Sequence, residues 1–428
     1  MEASFRPALL EWPQPWQDPS LLRLVESSPF RVLLFPRERP VVAEAAQRKG
    51  FHVVTVPAWR KQAEIDWSRP GGRVLIGDAV WPALGATGGS DSTEAGPTGL
   101  PWLESNGWLI RMVRDLAPES EVWIRSDPPE DADHADAALF AFAQSEARAH
   151  GAMRPLWLPD RIAAGIAAGN SHALAWWRRL CAVESWWQEH AARQAWRTAA
   201  RLRLVSDFAG PNQYPAFEFL NLSARRNLPW RALRPQAVDD NALRGAAALL
   251  YIDQAPPDAP LRDRLERFVR QGGLLLCLEP AARTLGGLGP AVAIHPRFQI
   301  LRLGRGRVAV NRSGWADPYL LAQDVHLLMS RRNDVVRLFN PGSILGWPVM
   351  SPDRRRLLVH LLNYSRHGAA HDVTVQTWAP VKSASAEHLA AEKRAAAVRR
   401  EAGGWEIDIE PFDIYCALEL EGNWDAAG

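Results

Sequence analysis

The stretch RLRLVSDFAGPNQYPAFEFLNLSARRNLPWRAL, residues 201–233, decides the fold of the middle of the chain. An apolar run is followed by a polar loop, a helix over residues 213–226 and a second apolar run at 228–233. Apolar runs that alternate with helices are typical of parallel sheets covered by helices. The stretch therefore predicts the beginning of an α/β domain.

The same alternation continues up to residue 335. Further strands are predicted at 246–253 and 274–280, helices at 261–273 and 317–332, and a hairpin over 298–310 that turns at Gly304–Gly306. Gly272 and Gly273 form a good helix stop before the strand at 274–280. This order of elements predicts a flavodoxin-like sheet over residues 201–335.

Residues 1–200 contain six predicted strands and the helices between them. The strands are 7–12, 31–36, 52–57, 73–81, 121–127 and 154–159, and the main helices are 40–50, 106–117, 132–151 and one or two within 161–200. The pattern fits a doubly wound sheet or an incomplete (β/α) barrel, because a full eight-stranded barrel usually needs about 250 residues. We therefore expect a reduced barrel-like domain over residues 1–200.

The last part of the chain, residues 336–428, changes to β-like alternation. Its strands are predicted at 355–365, 371–378, 404–411 and 412–422, as in a small antiparallel β-sandwich. The segment 385–402 allows two interpretations, a helical insert or a surface hairpin. The fold class is thus α/β with three domains: a reduced barrel, a flavodoxin-like domain and a C-terminal β-sandwich.

Composition excludes several classes of function. The chain has 428 residues and a formal net charge of +2, which argues against nucleic acid or an anionic membrane as a partner. There is no apolar run of about 18 residues and no secretion signal, so we expect a soluble cytoplasmic protein. The three cysteines are far apart, and no nucleotide motif is present, so neither a metal nor a cofactor is predicted.

Several phrases resemble one family of enzymes. They are VSDFAGPNQYPAFEFLNLSARRNLPWRAL (205–233), ALLYIDQAPPDAPLRDRLERFVRQGGLLLC (248–277), DVHLLMSRRNDVVRLFNPGS (324–343), LLVHLLNYSRHGAAHDVTV (357–375) and EWPQPW (11–16). Together with the order of domains, they resemble the family 42 β-galactosidases. The resemblance implies a glycoside or oligosaccharide ligand, a middle domain similar to class I glutamine amidotransferases, and assembly into a homotrimer.

The sequence departs from that family at the catalytic residues. The family's general acid follows an Asn-Glu pair, whereas here Glu104 precedes Asn106 with Ser105 between them. A second catalytic Glu near a seventh strand cannot be placed. Cys277 lacks the flanking glycines of an amidotransferase nucleophile, and a buried strand cysteine is the favoured interpretation. Two alternatives follow: a glycoside hydrolase, or a pseudoenzyme that binds carbohydrate or serves assembly.

Cleavage of a glycosidic bond usually requires two carboxyl groups that face each other across the sugar. Carboxylates end or follow predicted strands at Glu11, Asp78 and Asp127, where a barrel or an open α/β sheet has its active site. We predict Glu104 and Asp127 as the catalytic pair, with Glu11 and Asp78 in reserve. An Asp after a strand also commonly caps the next helix, and this alternative stays open.

The loop GPTGLPWLESNGW, residues 96–108, combines turn-forming residues with indoles and polar groups. One interpretation is a sugar subsite, and the other is a rigid entry to the helix at 106–117, capped by Ser105 or Asn106. For the first, the predicted substrate-binding residues are Glu11, Trp12, Asp78, Trp81, Trp102, Asn106 and Trp108.

Overall fold

The computed structural model describes residues 7–36, 39–66, 71–84, 103–129, 136–315, 317–365 and 372–425. Within these ranges, no helix is long and apolar enough to cross a membrane.

The N-terminal part alternates strands and helices. Its elements are β1 (Ala8–Glu11), α1 (Arg23–Glu26), β2 (Phe30–Phe35), α2 (Pro40–Arg48), β3 (His52–Thr55), β4 (Arg73–Ile76), β5 (Ala83–Leu84), β6 (Leu103–Glu104), α3 (Gly107–Leu116), β7 (Glu121–Ile124), α4 (Ala137–His150), α5 (Asp160–Ala167) and α6 (Ser171–Glu189). Five of the six predicted strands are present as β1, β2, β3, β4 and β7. The sixth, at 154–159, lies in a segment that pairs only through isolated bridges.

These segments are joined side by side in chain order. β1, β2 and β3 pair in parallel, as do β4 and β7. Parallel bridges then join Arg60 to Ile76, Trp123 to Met153 and Leu10 to Leu156. Six parallel segments thus form a ring of backbone contacts that returns to β1, here called the six-segment ring. A doubly wound sheet has a different strand order, so this pairing supports the barrel-like alternative.

Side chains from all six segments fill the ring. One buried cluster holds Leu9, Val32, Leu34, Trp123 and Met153, with Val54, Trp59 and Leu75 packed against it. Successive side chains of a strand point to opposite faces, so the alternate positions of each strand face the covering helices. The interior of the ring is therefore a packed core of apolar side chains.

Helix α4 is buried along nearly its whole length, between the ring and α6. It begins at Asp136, whose carboxylate accepts a hydrogen bond from the Ala138 amide, and ends at Gly151 in the left-handed conformation with φ of 91°. Within it, Arg148 forms an ion pair of 2.8 Å with Glu184 of α6, and the two side chains are only 1% and 2% exposed.

The middle part is a seven-stranded sheet with helices. It follows the short strand β8 (Arg197–Thr198) and comprises β9 (Leu202–Val205), α7 (Gln213–Arg225), β10 (Trp230–Leu233), β11 (Ala248–Tyr251), α8 (Ala259–Arg270), β12 (Leu274–Leu278), α9 (Glu279–Ala282), β13 (Ala291–Ile294), β14 (Phe298–Leu303), β15 (Gly306–Asn311) and α10 (Pro318–Met329). The order is β10-β9-β11-β12-β15-β14-β13. Its parallel strands follow the flavodoxin order 2-1-3-4-5, and β13 and β14 extend the sheet antiparallel.

The C-terminal part contains two antiparallel sheets. Its strands are β16 (Arg337–Phe339), β17 (Ile344–Met350), β18 (Arg356–Asn363), β19 (Val373–Thr377), β20 (Val381–His388), β21 (Lys393–Ala396), β22 (Val398–Glu401), β23 (Gly404–Ile409) and β24 (Tyr415–Gly422). One sheet has the order β16-β19-β23-β22 and the other β21-β20-β24-β18-β17-β8. Segment 385–402 forms strands, so the hairpin interpretation is correct and the helical insert is wrong.

The buried ion pair of α4 and α6 leads to a stability prediction. Glu184→Leu is expected to destabilise the protein by roughly 3–5 kcal/mol, because it leaves the Arg148 charge buried without its partner. The double variant Arg148→Met/Glu184→Leu should be more stable than Glu184→Leu, since neither charge of this pair remains. Urea unfolding measures the free energy of unfolding of both variants.

The control is Glu121→Ala, which removes an exposed pair of 3.2 Å with Arg73. It should change the unfolding free energy by less than about 1 kcal/mol. A double variant less stable than Glu184→Leu would contradict the explanation.

Candidate functional site

A cavity of about 240 Å³ opens at the carboxyl ends of β1, β7 and the segment that follows α4. Glu11 is the last residue of β1, and Arg125 follows β7 directly. Because side chains alternate along a strand, Glu11 lies on the same face of β1 as Leu9, and Arg125 on the same face of β7 as Trp123. Leu9 and Trp123 belong to the interior cluster. The two groups therefore lie at the end of the ring where barrel enzymes have their active sites.

The electrostatic surroundings of Glu11 are unusual for a carboxyl group. Burial raises its pKa, the nearby Arg125 guanidinium lowers it, and Asp127 raises it again. Arg125 Nη2 lies 3.7 Å from a carboxyl oxygen of Glu11, and the Glu11 side chain is 13% exposed. Since burial is the largest effect, Glu11 holds its proton more strongly than a solvated Glu. A carboxyl group with this property is suited to donate a proton.

Arg154 forms another wall of the cavity. Its side chain is buried, and its Nη1 donates a hydrogen bond of 2.6 Å to Ser126 Oγ. Burial lowers the pKa of Arg154 to about 10, against the opposing effect of Glu146. The guanidinium carbon lies 5.7 Å from the centre of the Trp81 ring.

Aromatic side chains complete the cavity. Trp81 and Trp157 both line it, and both contact Phe140 of α4, at 5.2 Å and 6.3 Å between ring centres. Trp81 is one of the predicted substrate-binding residues, and it is partly buried here. The cavity therefore combines two indoles, two guanidinium groups and a carboxyl group, which are groups that bind polar ring compounds.

The structure brings together only part of the predicted site. Glu11, Trp81 and Asp127 lie at or beside the cavity. Asp78 is exposed and accepts a 2.9 Å hydrogen bond from the backbone amide of Gln62, which precedes it in the chain. Trp102 lies outside the described residues.

Two predicted contact residues belong to the interior. Trp12 is 1% exposed, and its indole N–H donates to the Trp16 carbonyl at 2.7 Å. Asn106 is 2% exposed, and its amide bonds both backbone groups of Val80 and the carboxylate of Glu146. The structure does not support sugar contacts for these two, because their polar atoms are occupied within the protein.

Glu104 and Trp108 face the middle part of the chain. Glu104 acts electrostatically on Arg225 at the end of α7, and Trp108 packs against Phe217 of the same helix at 6.1 Å. Asp127, by contrast, acts on Glu11.

Sequence reasoning missed Arg125, Arg154 and Trp157. All three occur inside or next to predicted strands, in EVWIRSD and RPLWLP. A charged residue in an otherwise apolar strand was the available signal, since such a residue is seldom buried without a partner or a function.

A second cluster of polar groups lies at the carboxyl edge of the middle sheet. Asp253 accepts a 2.6 Å hydrogen bond from Ser206, and burial raises the pKa of Asp253 to about 6. Cys277 is fully buried in β12, and burial raises its pKa to about 12, so it is not an exposed nucleophile. No group of three His, Cys, Asp or Glu side chains in the described parts of the chain could hold a metal ion.

Solved structures with a similar fold are glycosidases. A family 42 β-galactosidase from G. stearothermophilus matches with a TM-score of 0.50 and 10% identity over 89% of this chain and 67% of its own. A rhamnosidase from Novosphingobium sp. PP1Y matches with a TM-score of 0.51 and 10% identity, over 89% of this chain and 38% of its own. At such identity the likeness shows the fold alone. No family model and no curated protein matches the chain.

The raised pKa of Glu11 predicts a pH dependence of stability. The folded state binds the Glu11 proton more tightly than the unfolded state, so this group lowers stability as the pH rises above the ordinary pKa of Glu. Glu11→Gln should therefore become more stable relative to the wild type between pH 4 and pH 8. Melting temperatures across that range measure the difference.

Asp18→Asn is the control with the opposite sign. Hydrogen bonds from Ser20 lower the pKa of Asp18, so its stabilising contribution is present at neutral pH and is lost in acid. This variant should lose stability relative to the wild type as the pH rises from about 2 to about 5, through the ordinary pKa of Asp, and should change little above that. A Glu11→Gln profile parallel to that of Asp18→Asn would contradict our interpretation of Glu11.

Proposed function

We propose that this chain is a carbohydrate-active protein of the glycoside hydrolase type, which cleaves a glycosidic bond in the cavity at the carboxyl end of the six-segment ring. The observation that carries the proposal is Glu11 in the wall of this cavity, 3.7 Å from Arg125, with Asp127 near enough to raise the pKa of Glu11. The glycosidase fold of the structural neighbours supports it.

In this proposal the two carboxyl groups have different roles. Glu11, with its raised pKa, donates its proton to the leaving oxygen of the glycosidic bond. Asp127 is exposed beyond the end of β7 and supplies the second carboxylate, as nucleophile or as the base that activates water. Arg125, 3.7 Å from Glu11, stabilises negative charge on that group once its proton has been transferred.

The originally predicted pair, Glu104 and Asp127, is the competing assignment. The argument against this pair is the position of Glu104, which is near enough to Arg225 of α7 to raise the pKa of that guanidinium against the lowering effect of burial. Substitution of each carboxylate separately distinguishes the two assignments.

The finer architecture is also part of the proposal. The six-segment ring corresponds to a reduced barrel over residues 1–200, followed by an amidotransferase-like domain over 201–335 and a C-terminal β domain over 336–428. The likeness to family 42 β-galactosidases supports this division and a homotrimer in which the middle domain makes the subunit contacts. Light scattering of the purified chain tests the trimer.

Hydrolysis of a panel of aryl glycosides and oligosaccharides tests the function. Glu11→Gln and Asp127→Asn should each lower kcat by about 10²–10⁴, the usual contribution of a general acid or base. Glu104→Gln should retain most of the activity because its carboxylate lies outside the cavity. Circular dichroism checks that each variant is folded.

Two other outcomes have clear meanings. Loss of activity in Glu104→Gln with Glu11→Gln unaffected would restore the competing pair. If no substrate is turned over but an oligosaccharide quenches tryptophan emission at saturation, the protein is a carbohydrate-binding pseudoenzyme.

A further inference from the structure

A groove lined by arginines lies at the amino ends of the parallel strands of the middle sheet. Its volume is about 750 Å³, and none of its described lining residues belongs to the cavity beside Glu11. Five arginines line the groove: Arg201, Arg244, Arg264, Arg267 and Arg307. Among the described lining residues, Asp240 alone carries a carboxylate. We call this surface the arginine groove.

The five arginines come from separate parts of the middle domain. Arg201 directly precedes β9, and Arg307 is the second residue of β15. Arg244 lies in the connection that leads into β11. Arg264 and Arg267 lie on α8 at a spacing of i, i+3, which places two side chains on one face of a helix. The fold thus brings together charges that are scattered along the sequence.

The arginine groove concentrates positive charge on a chain that is not basic elsewhere. Its five guanidinium groups and one carboxylate give a charge of +4, whereas the whole chain carries only +2, which leaves −2 for all residues outside the groove. Like charges that are held together repel each other, and a bound anion removes that repulsion. The groove is therefore a positive site in a protein of nearly neutral charge.

Three of the guanidinium groups have no counter-charge within the protein. In the described parts of the chain, the side chains of Arg201, Arg244 and Arg307 form neither an ion pair nor a hydrogen bond. Arg244 and Arg307 are exposed, so their forks of N–H donors are open to a ligand.

Arg201 is the most enclosed of these three groups. Burial lowers its pKa, and no described carboxylate lies near enough to oppose that effect. Its Nε atom is enclosed by protein, whereas its Nη1 and Nη2 atoms are not fully buried and have no partner among the described residues. Because this guanidinium has already lost part of its hydration, an incoming anion gains more from it than from a fully solvated one.

The two arginines of α8 are partly engaged. Arg267 lies in the last turn, where the helix dipole favours a cation, and its Nη1 lies 3.4 Å from Asp240, which is 85% exposed. Arg264 Nη1 donates a hydrogen bond of 2.6 Å to the Val238 carbonyl. A carbonyl does not neutralise a guanidinium, and an exposed ion pair is weak. Most of the positive charge of α8 thus remains available to a ligand.

Charge and volume together restrict the ligand. A phosphate group on an organic molecule carries about −1.5 to −2 at pH 7, so two of them match the +4 of the groove. Guanidinium forks also match the paired oxygens of a phosphate. The volume of about 750 Å³ lies within the range of about 300–1,000 Å³ that is typical of small-molecule sites.

We propose that the arginine groove binds a small ligand with two phosphate groups, held by the guanidinium groups of Arg201, Arg244 and Arg307 and attracted by the charge of Arg264 and Arg267. Open α/β sheets usually bind their ligands at the carboxyl ends of the strands, and this site lies at the opposite edge. It is independent of the proposed glycoside cleavage. Nucleoside diphosphates, sugar bisphosphates and inorganic pyrophosphate share the required chemistry.

Calorimetric titration of the full chain, without divalent metal ions, tests the proposal. The probes are ADP, D-fructose 1,6-bisphosphate and pyrophosphate, each compared with its counterpart that has one phosphate group: AMP, D-fructose 6-phosphate and inorganic phosphate. At least one probe with two phosphate groups should bind about tenfold more tightly than its counterpart, and added salt should reduce the difference. The tightest probe identifies the group that carries the phosphates.

Variants of the two exposed arginines locate the ligand. Arg244→Gln and Arg307→Gln remove charges that have no partner among the described residues, so both variants should fold normally. Each should weaken binding of the tightest probe by about tenfold. Arg283→Gln is the matched control, because this 75% exposed arginine lies in α9 at the opposite edge of the same sheet. It should leave the affinity unchanged.

Three results would overturn the inference. The first is the absence of measurable binding for all probes at low salt, and the second is equal affinity for ligands with one and with two phosphate groups. The third is an affinity that is unchanged in both groove variants or that falls equally in Arg283→Gln. Tight binding that depends on Arg244 and Arg307 would sustain the inference, whether or not the protein hydrolyses any glycoside.

Discussion

The buried carboxylate of Glu146 is the interaction on which the arrangement of this protein depends. It lies in α4 and accepts hydrogen bonds of 2.8–2.9 Å from the backbone and side chain of Asn106 and from the Tyr364 hydroxyl. Asn106 begins α3, and Tyr364 follows β18 of the C-terminal part. Because a buried charge is tolerated only when its oxygens are bonded, this one group holds three distant segments at fixed positions.

The site follows from the position of α4. The helix ends at Gly151, and the chain then returns to the ring, where Met153 pairs with Trp123 and Leu156 with Leu10. Arg154 lies between these two bridges, so its guanidinium is placed by backbone pairing on both sides. Phe140 of α4 supports Trp81 and Trp157 from behind. The cavity is therefore a consequence of packing between one helix and the carboxyl ends of three neighbouring segments.

Local sequence patterns sufficed to predict most of the fold, but only some of the residues around the cavity. Glu11 and Asp127 could be assigned to the carboxyl end of the ring because a carboxylate at the end of an apolar strand has one possible location in a parallel ring. Trp12 and Asn106 come from equally suggestive motifs, yet both are inside the protein. Trp16 stands in the same phrase as Trp12, but Glu146 lies 40 residues from Asn106, and the side chains that cover both residues come from distant segments, so burial could not be inferred.

By itself, the sequence determined the order of strands and helices, the change to antiparallel sheets after residue 336 and the direction in which the strand ends point. These features depend on the period of apolar residues and on turn-forming residues, which act over a few positions along the chain. Only the tertiary structure decided that the six segments form a ring, that Glu104 acts on Arg225 of α7 and that Arg154 lines the cavity. Those outcomes depend on contacts between segments far apart in sequence, where the burial of one side chain is set by which others cover it.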